Sequence, residues 1–316
     1  LTALDPVLLF FVLGLTAGLL RSEMRLPAAV YELISMLLLL TIGLKGGIEL
    51  AKQPLGALAL QTLAVMAMGA LLPLIAFPVL RFAGHFKRAD AASIAAHYGS
   101  VSVATYAVAT SYFASRQIDF EAHMPFLLAV LEIPAIVVGI LLARGLNGEM
   151  RIGKVAHEIF LGKGIVLLVG GLLIGWAAGA EGLVSVKPLF FDLFKGILAL
   201  FLLEMGLITA AQFGSLRQHG LFLVLFGVGM PLFSSIIGMV LGCALGLSPG
   251  GTAMLAILAA SASYIAVPAA MRISVPEANP TLSLAASLGV TFPFNVLVGI
   301  PIYHALTDHW FAFIGK

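Results

Sequence analysis

Ser93-Ile94-Ala95-Ala96-His97-Tyr98-Gly99-Ser100-Val101-Ser102-Val103-Ala104-Thr105-Tyr106 is the stretch on which the fold turns. It lies in an apolar run, yet small and hydroxyl-bearing residues crowd its centre, beside the helix breaker Gly99. A second stretch repeats the pattern: Leu258-Ala259-Ala260-Ser261-Ala262-Ser263-Tyr264-Ile265-Ala266-Val267-Pro268, with Pro268 as the nearby breaker. Each predicts a helix interrupted at mid-membrane. An interruption frees backbone N–H groups at the start of the second half-helix, where the partial positive dipole also points. Such an end suits an anion, and the carbonyls closing the first half-helix suit a cation. Irregular backbone at membrane depth persists only where it lines a cavity or is buried in protein. The rival explanation is a packing seam, since small residues let membrane helices approach closely. Two such segments at matching positions favour a site, formed by Gly99, Ser100, Val101 and Ser102 with Ser261, Ala262, Ser263 and Tyr264.

The surroundings decide the solvent. Of 316 residues, 61% are hydrophobic and 10% charged, and the mean hydropathy is +1.10. A soluble domain carries about a quarter charged residues, and one this apolar would expose large greasy patches. Runs between charges and turn residues predict ten transmembrane helices, at 6–20, 28–48, 55–82, 90–114, 122–143, 157–179, 188–211, 219–246, 250–271 and 280–306. A formal charge of +2, with no basic patch interleaved with aromatics, gives no sign of nucleic-acid binding. The single cysteine, Cys243, permits no intrachain disulfide and reads as a small packing residue.

Loops after the odd-numbered spans hold ten Lys and Arg residues, among them Arg21, Arg81, Arg88, Arg144, Arg217 and Arg272, against four on the other side. The positive-inside rule therefore predicts a multi-pass inner-membrane protein with both termini outside. Five spans precede the polar central segment and five follow. Residues 1–145 and 157–316 thus form two five-helix units joined by a linker at 146–156. An odd number of spans per unit means that homologous halves would be inverted. Three matches in shared order support homology: Thr41-Ile42-Gly43-Leu44 with Glu204-Met205-Gly206-Leu207, Ser100-Val101-Ser102 with Ser261-Ala262-Ser263, and Glu132-Ile133-Pro134 with Thr291-Phe292-Pro293. Inverted repeats with a site at their interface are common in secondary transporters.

Glu132 sits mid-span, where a carboxylate costs about 2.5 kcal/mol or more by insertion scales and usually faces a polar interior. Sodium coordination is its leading role, proton titration the alternative and a structural pair the plain explanation. Thr105, Thr291 and Asn295 offer neutral oxygens that would complete a sodium set. Lys45 and Glu49, four residues apart, are placed to pair on one helix face. His97 is expected to be a hydrogen-bonded packing residue more readily than a substrate donor, and Glu204 a helix-end or gate residue. Trp176 and Trp310 suit the aromatic belt. No nucleotide loop, zinc spacing or catalytic triad is present, so a non-enzymatic carrier is expected.

At these residues the chain resembles the sodium-dependent bicarbonate transporters of the cyanobacterial type. Ile42-Gly43-Leu44-Lys45-Gly46-Gly47, Gly99-Ser100-Val101-Ser102, Glu132-Ile133-Pro134-Ala135 and Ile273-Ser274-Val275-Pro276-Glu277-Ala278-Asn279-Pro280 carry the likeness. The resemblance implies an all-α integral membrane fold of two inverted five-helix repeats, divided into a core and a gate. It also implies Na+ as coupling ion, bicarbonate as substrate, a homotrimer in the lipid bilayer, and a PII-like regulatory protein on the cytoplasmic face. Ser100, Ser102, Ser261 and Ser263 fall on that family's half-helix breaks, and Glu132 stands where its best-known members have aspartate. Two departures stand out. Tyr264 replaces an aspartate that follows the span-nine serines, and the central loop is shorter. The leading expectation is sodium-coupled import of a small anion, bicarbonate first. An organic-anion or proton-coupled symporter is the second, and a channel or sensor the third.

Overall fold

Twelve helices account for most of the chain in the computed structural model, which describes residues 6–52, 55–145, 157 and 161–313. They are α1 (Pro6–Leu19), α2 (Ala28–Leu50), α3 (Leu55–Pro78), α4 (Arg88–Gly99), α5 (Val103–Ser115), α6 (Met124–Arg144) and α7 (Lys163–Gly182). After these come α8 (Phe194–Gly214), α9 (Gly220–Ala244), α10 (Pro249–Ala259), α11 (Ala266–Ser274) and α12 (Pro280–Phe313). No strand occurs among the described residues. Seven of the helices are long and apolar enough to cross a membrane: α2, α3, α6, α7, α8, α9 and α12. Their outward faces are greasy, as at Leu60, Leu63, Phe82 and Leu221. That is the surface expected where lipid is the solvent.

Helix α8 passes into α9 through continuous helical backbone until Gly220, whose φ of 82° and ψ of 170° turn the chain. A positive φ of this kind is open to glycine at little steric cost. Pro78 leads into a π-helical turn over Val79–Ala83 that closes α3. Two further π turns, at Ser287–Thr291 and Asn295–Gly299, lie within α12. The linker predicted at 146–156 and the basic residues Arg151 and Lys154 lie outside the described residues.

Two helix pairs flank a central group. In one, α2 lies on α7, where Gly43 lets the backbone of Leu168 and Gly171 come so close that a Cβ would collide with it. In the other, α1 lies on α8, where Gly206 plays the same part against Phe11 and Gly14. Gly43 and Gly206 are the two glycines matched in sequence. The central group packs α3, α4 and α6 together, and α10 and α12 against α9.

Two carboxylates tie the central helices at their ends. Asp90, in the first turn of α4, accepts the backbone N–H of Asn279 before α12 at 2.7 Å. Glu121, before α6, accepts the backbone N–H of Ser248 at the head of α10 at 2.6 Å, and its hydroxyl at 3.1 Å. Each is a charge-assisted bond to a helix-entry amide, the strong kind. The expected Lys45–Glu49 pair does not form. Glu49 instead bonds Lys52 at 2.8 Å, while the Lys45 ammonium sits 4.3 Å from the Phe194 ring centroid. A face-on aromatic ring one helix away offers Lys45 a cation–π contact.

Candidate functional site

Gly99 ends α4 and Val103 begins α5, so Ser100, Val101 and Ser102 form a short extended link buried in the protein. Ser102 is the N-cap of α5, its hydroxyl accepting the N–H of Thr105 at 3.1 Å. This satisfies one of the helix's orphan donors. Ala259 ends α10 and α11 begins at Ala266, so the second interruption is longer and lies ahead of Pro268. Pro268 is not where the helix parts. It falls in the first turn of α11, where a missing N–H leaves no helical bond unmade.

The two interruptions bond to each other. The N–H of Ser102 donates to the Ser261 hydroxyl at 3.0 Å, and the N–H of Ser263 donates to the His97 carbonyl at 2.9 Å. All four residues are buried. The Ser261 hydroxyl itself donates to the Leu258 carbonyl at 2.8 Å, so its hydrogen is committed and it meets Ser102 as an acceptor. The Ser263 hydroxyl accepts the N–H of Val267 at 3.4 Å. Thus the N-termini of α5 and α11 start from one crossing, each held by its own serine.

Two of the candidate ion ligands on α12 frame this crossing. Asn295 donates through Nδ2 to the Ala260 carbonyl at 2.8 Å and accepts the Tyr303 hydroxyl at 2.7 Å. Thr291 donates to the Gly227 carbonyl at 2.7 Å. With that hydrogen spent, the 2.7 Å contact between Thr291 and Tyr98 must run from the tyrosine hydroxyl. Thr105 enters through its backbone N–H to Ser102. Glu132 stands apart. It is buried on α6, its Oε2 has no hydrogen-bond partner, and none of the bonds above reaches it.

Several polar atoms here lack a partner. Ser100 Oγ belongs to the crossing itself, His97 Nε2 lies just before it, and Thr41 Oγ1 is on α2, while the Tyr264 hydroxyl has only the Ser102 side chain beside it and no well-formed bond. An unmet buried polar group costs about 1–3 kcal/mol, and such groups call for an explanation. Tyr264 packs edge-on to Phe292 with ring centroids 5.5 Å apart, and Phe292 in turn packs edge-on to Phe11 of α1 at 5.7 Å. The roles of Tyr98 and of the His97 carbonyl had no sequence signal, because an aromatic or a backbone oxygen beside a glycine looks like ordinary helix.

The crossing lies between two cavities. From Ser102, α5 leads past Tyr106 and Thr110 into one of about 430 Å³, also lined by Lys45, Glu49 and Asp119. In the other direction α4 leads from His97 back to Ser93, both lining one of about 120 Å³.

A family model for the Na+-dependent bicarbonate transporter superfamily matches residues 6–308. The chain belongs to that superfamily. No curated protein matches it. The matched span takes in both interruptions, Glu132 and both cavities. Membership in a transporter superfamily, together with seven helices fit to cross a membrane, makes the chain a multi-pass membrane protein. No group of three or more His, Cys, Asp or Glu residues placed to hold a metal occurs among the described residues.

Proposed function

We propose that this superfamily member is a sodium-coupled importer of a small anion, bicarbonate first, working by elevator-like alternating access. The observation that carries it is the crossing: two interrupted helices that bond each other reciprocally, with polar atoms left open, between cavities on opposite sides. Helix starts at α5 and α11 favour an anion. Carbonyls at the ends of α4 and α10, with Glu132, Thr105, Thr291 and Asn295, are the proposed sodium set. Sodium and anion in one buried site would each lower the electrostatic cost of the other.

Inverted repeats over 1–145 and 157–316, with ten membrane passes, are part of this reading, and exchanged contacts support it. Gly43 of the second pass meets α7, the sixth, while its match Gly206 of the seventh meets α1, the first. The carboxylate ties exchange likewise. Asp90 joins the fourth pass to the tenth, and Glu121 joins the fifth to the ninth. The cytoplasmic side is taken as that of Arg88 and Arg272, in an inner membrane with both termini outside. A homotrimer and a PII-like cytoplasmic partner complete the proposal on the family resemblance.

Uptake of labelled bicarbonate by proteoliposomes, with and without an inward sodium gradient, tests the reading. Stimulation by the gradient is expected. Equal uptake without it would remove the coupling. A second reading, a proton-coupled symporter of an organic anion, is favoured by Glu132, whose carboxyl has an open oxygen, and by Tyr264 in place of aspartate. Under it uptake follows a pH gradient and ignores sodium.

A further inference from the structure

We propose that the 120 Å³ cavity between α4, α11 and the start of α12 is a second binding site, selective for a small hydrogen oxyanion, an anion carrying both a charged oxygen and an O–H group. The argument begins with His97. Its Nδ1 lies 2.7 Å from the Ser93 carbonyl. A carbonyl only accepts, so the ring proton sits on Nδ1. In the neutral ring Nε2 is then a bare acceptor. It has no partner, the side chain is 1% exposed, and the residue lines the cavity. Nε2 is closed off from the empty cavity, so a ligand reaches it when the side chains around it give way slightly, and one that does must bring it a donor.

The remaining polar lining asks for the reverse. The Ser93 and Ser283 hydroxyls are 3.1 Å apart. One hydrogen is used between them, and the other is free for a ligand. Arg272, in the last turn of α11, also lines the cavity, and it makes no ion pair among the described residues. Glu277, between the lining residues Pro276 and Ala278, is paired at 3.3 Å with Arg144, which also donates to the Ser274 carbonyl. The ligand accepts from a hydroxyl, is attracted by a guanidinium and donates to an imidazole. Bicarbonate does all three. Nitrate and chloride have no O–H to donate. The volume admits an ion of this size with water beside it, given about 30 Å³ for each water.

His97 also gives its carbonyl to Ser263, so the cavity abuts the crossing directly. The cavity would hold the anion between the crossing and the Arg272 surface, a stop on the way out to the cytoplasm. That placement, and the choice of bicarbonate, rest on the proposed function. The pairing of donor and acceptors does not.

Equilibrium dialysis of labelled bicarbonate against the purified full chain, with and without sodium, tests it. The crossing should supply a sodium-dependent component of binding, and the cavity, which has no carboxylate in its lining, a sodium-independent one. Arg272→Gln should weaken the sodium-independent component about tenfold, the scale of a lost charge-assisted contact. His97→Leu should abolish it, and His97→Gln, which restores an acceptor near the Nε2 position, should retain it. Nitrate should not compete for it. The inference fails if wild type shows no sodium-independent binding, if Arg272→Gln leaves it intact, or if nitrate displaces it as well as bicarbonate does. Melting curves identify a His97 variant that does not fold, and Arg272→Gln then decides alone. Loss of the sodium-dependent component in wild type would count against the proposed function and leave this site standing.

Discussion

Tyr264 and Glu132 are the residues whose chemistry is least explained by packing. The Tyr264 hydroxyl is buried with only the Ser102 side chain as a partner, and without a well-formed hydrogen bond to it, while its ring is well packed on Phe292. Removing the oxygen should therefore cost the fold little. Tyr264→Phe is expected to melt close to the wild-type temperature, since so weakly paired a hydroxyl recovers little of its burial cost of about 1 kcal/mol or more. If the hydroxyl meets the anion, the same variant should raise the KM for bicarbonate uptake about threefold to tenfold with little change in maximal rate, the pattern of lost uniform binding. A normal KM would take Tyr264 out of the site. Glu132→Gln keeps the shape and removes the charge. Sodium stimulation of uptake should fall at least about tenfold, as for a lost ligand charge of about 1.4 kcal/mol or more. If sodium stimulation survives and pH dependence disappears, the proton-coupled reading gains. The depth of Glu132 was legible in the sequence, because one carboxylate in an apolar run stands out. Its lack of a partner was not, since that depends on which side chains of α3 and α4 face it.

Among the elements, close helix pairs separate what sequence can show from what only packing can. The match of Gly43 with Gly206 was visible as a repeated word, but the partners Gly171 and Gly14 were not, because either glycine reads alone as a loose helix residue. The first interruption was placed well, since Gly99 ends α4. The second falls at Ser261-Ala262-Ser263-Tyr264, where the small residues place it, but the breaker Pro268 lies past the gap, because a proline in a first turn starts a helix as readily as it stops one. Gly43→Ala and Gly206→Ala should each lower the melting temperature of the detergent-solubilised protein. The added Cβ in each would meet backbone, which cannot swing aside, and overpacking of this kind costs about 1–3 kcal/mol. Gly170, adjacent to the α2–α7 contact, has nothing within 4 Å of where its Cβ would stand. Gly170→Ala should be neutral or stabilising, because glycine mid-helix costs about 1 kcal/mol relative to alanine. Equal effects at all three positions would mean that the helix pairs are not closely packed in solution.

For the whole molecule the question is whether the two cavities open to opposite sides of one membrane and do so in turn. The crossing ties the helices between them together, through Ser102 with Ser261, Ser263 with His97, Asn295 with Ala260 and Tyr98 with Thr291. Under the proposed alternating access these helices move as a body. The surfaces available for that are the contacts with α1, α2 and α8, such as the Phe11–Phe292 pair. Thiol labelling can follow it. With Cys243, the only native cysteine, replaced by serine, Thr110→Cys reports the 430 Å³ cavity and Ala278→Cys the 120 Å³ one. A membrane-impermeant maleimide should reach Thr110→Cys only from the outside of cells or right-side-out vesicles, and Ala278→Cys only from the inside. Adding sodium and bicarbonate together should change the two labelling rates in opposite directions, because a shift of population toward one facing state exposes one cavity as it covers the other. Both positions reacting from the same side would overturn the orientation. Rates that rise together would replace an alternating carrier with an open pore through the crossing.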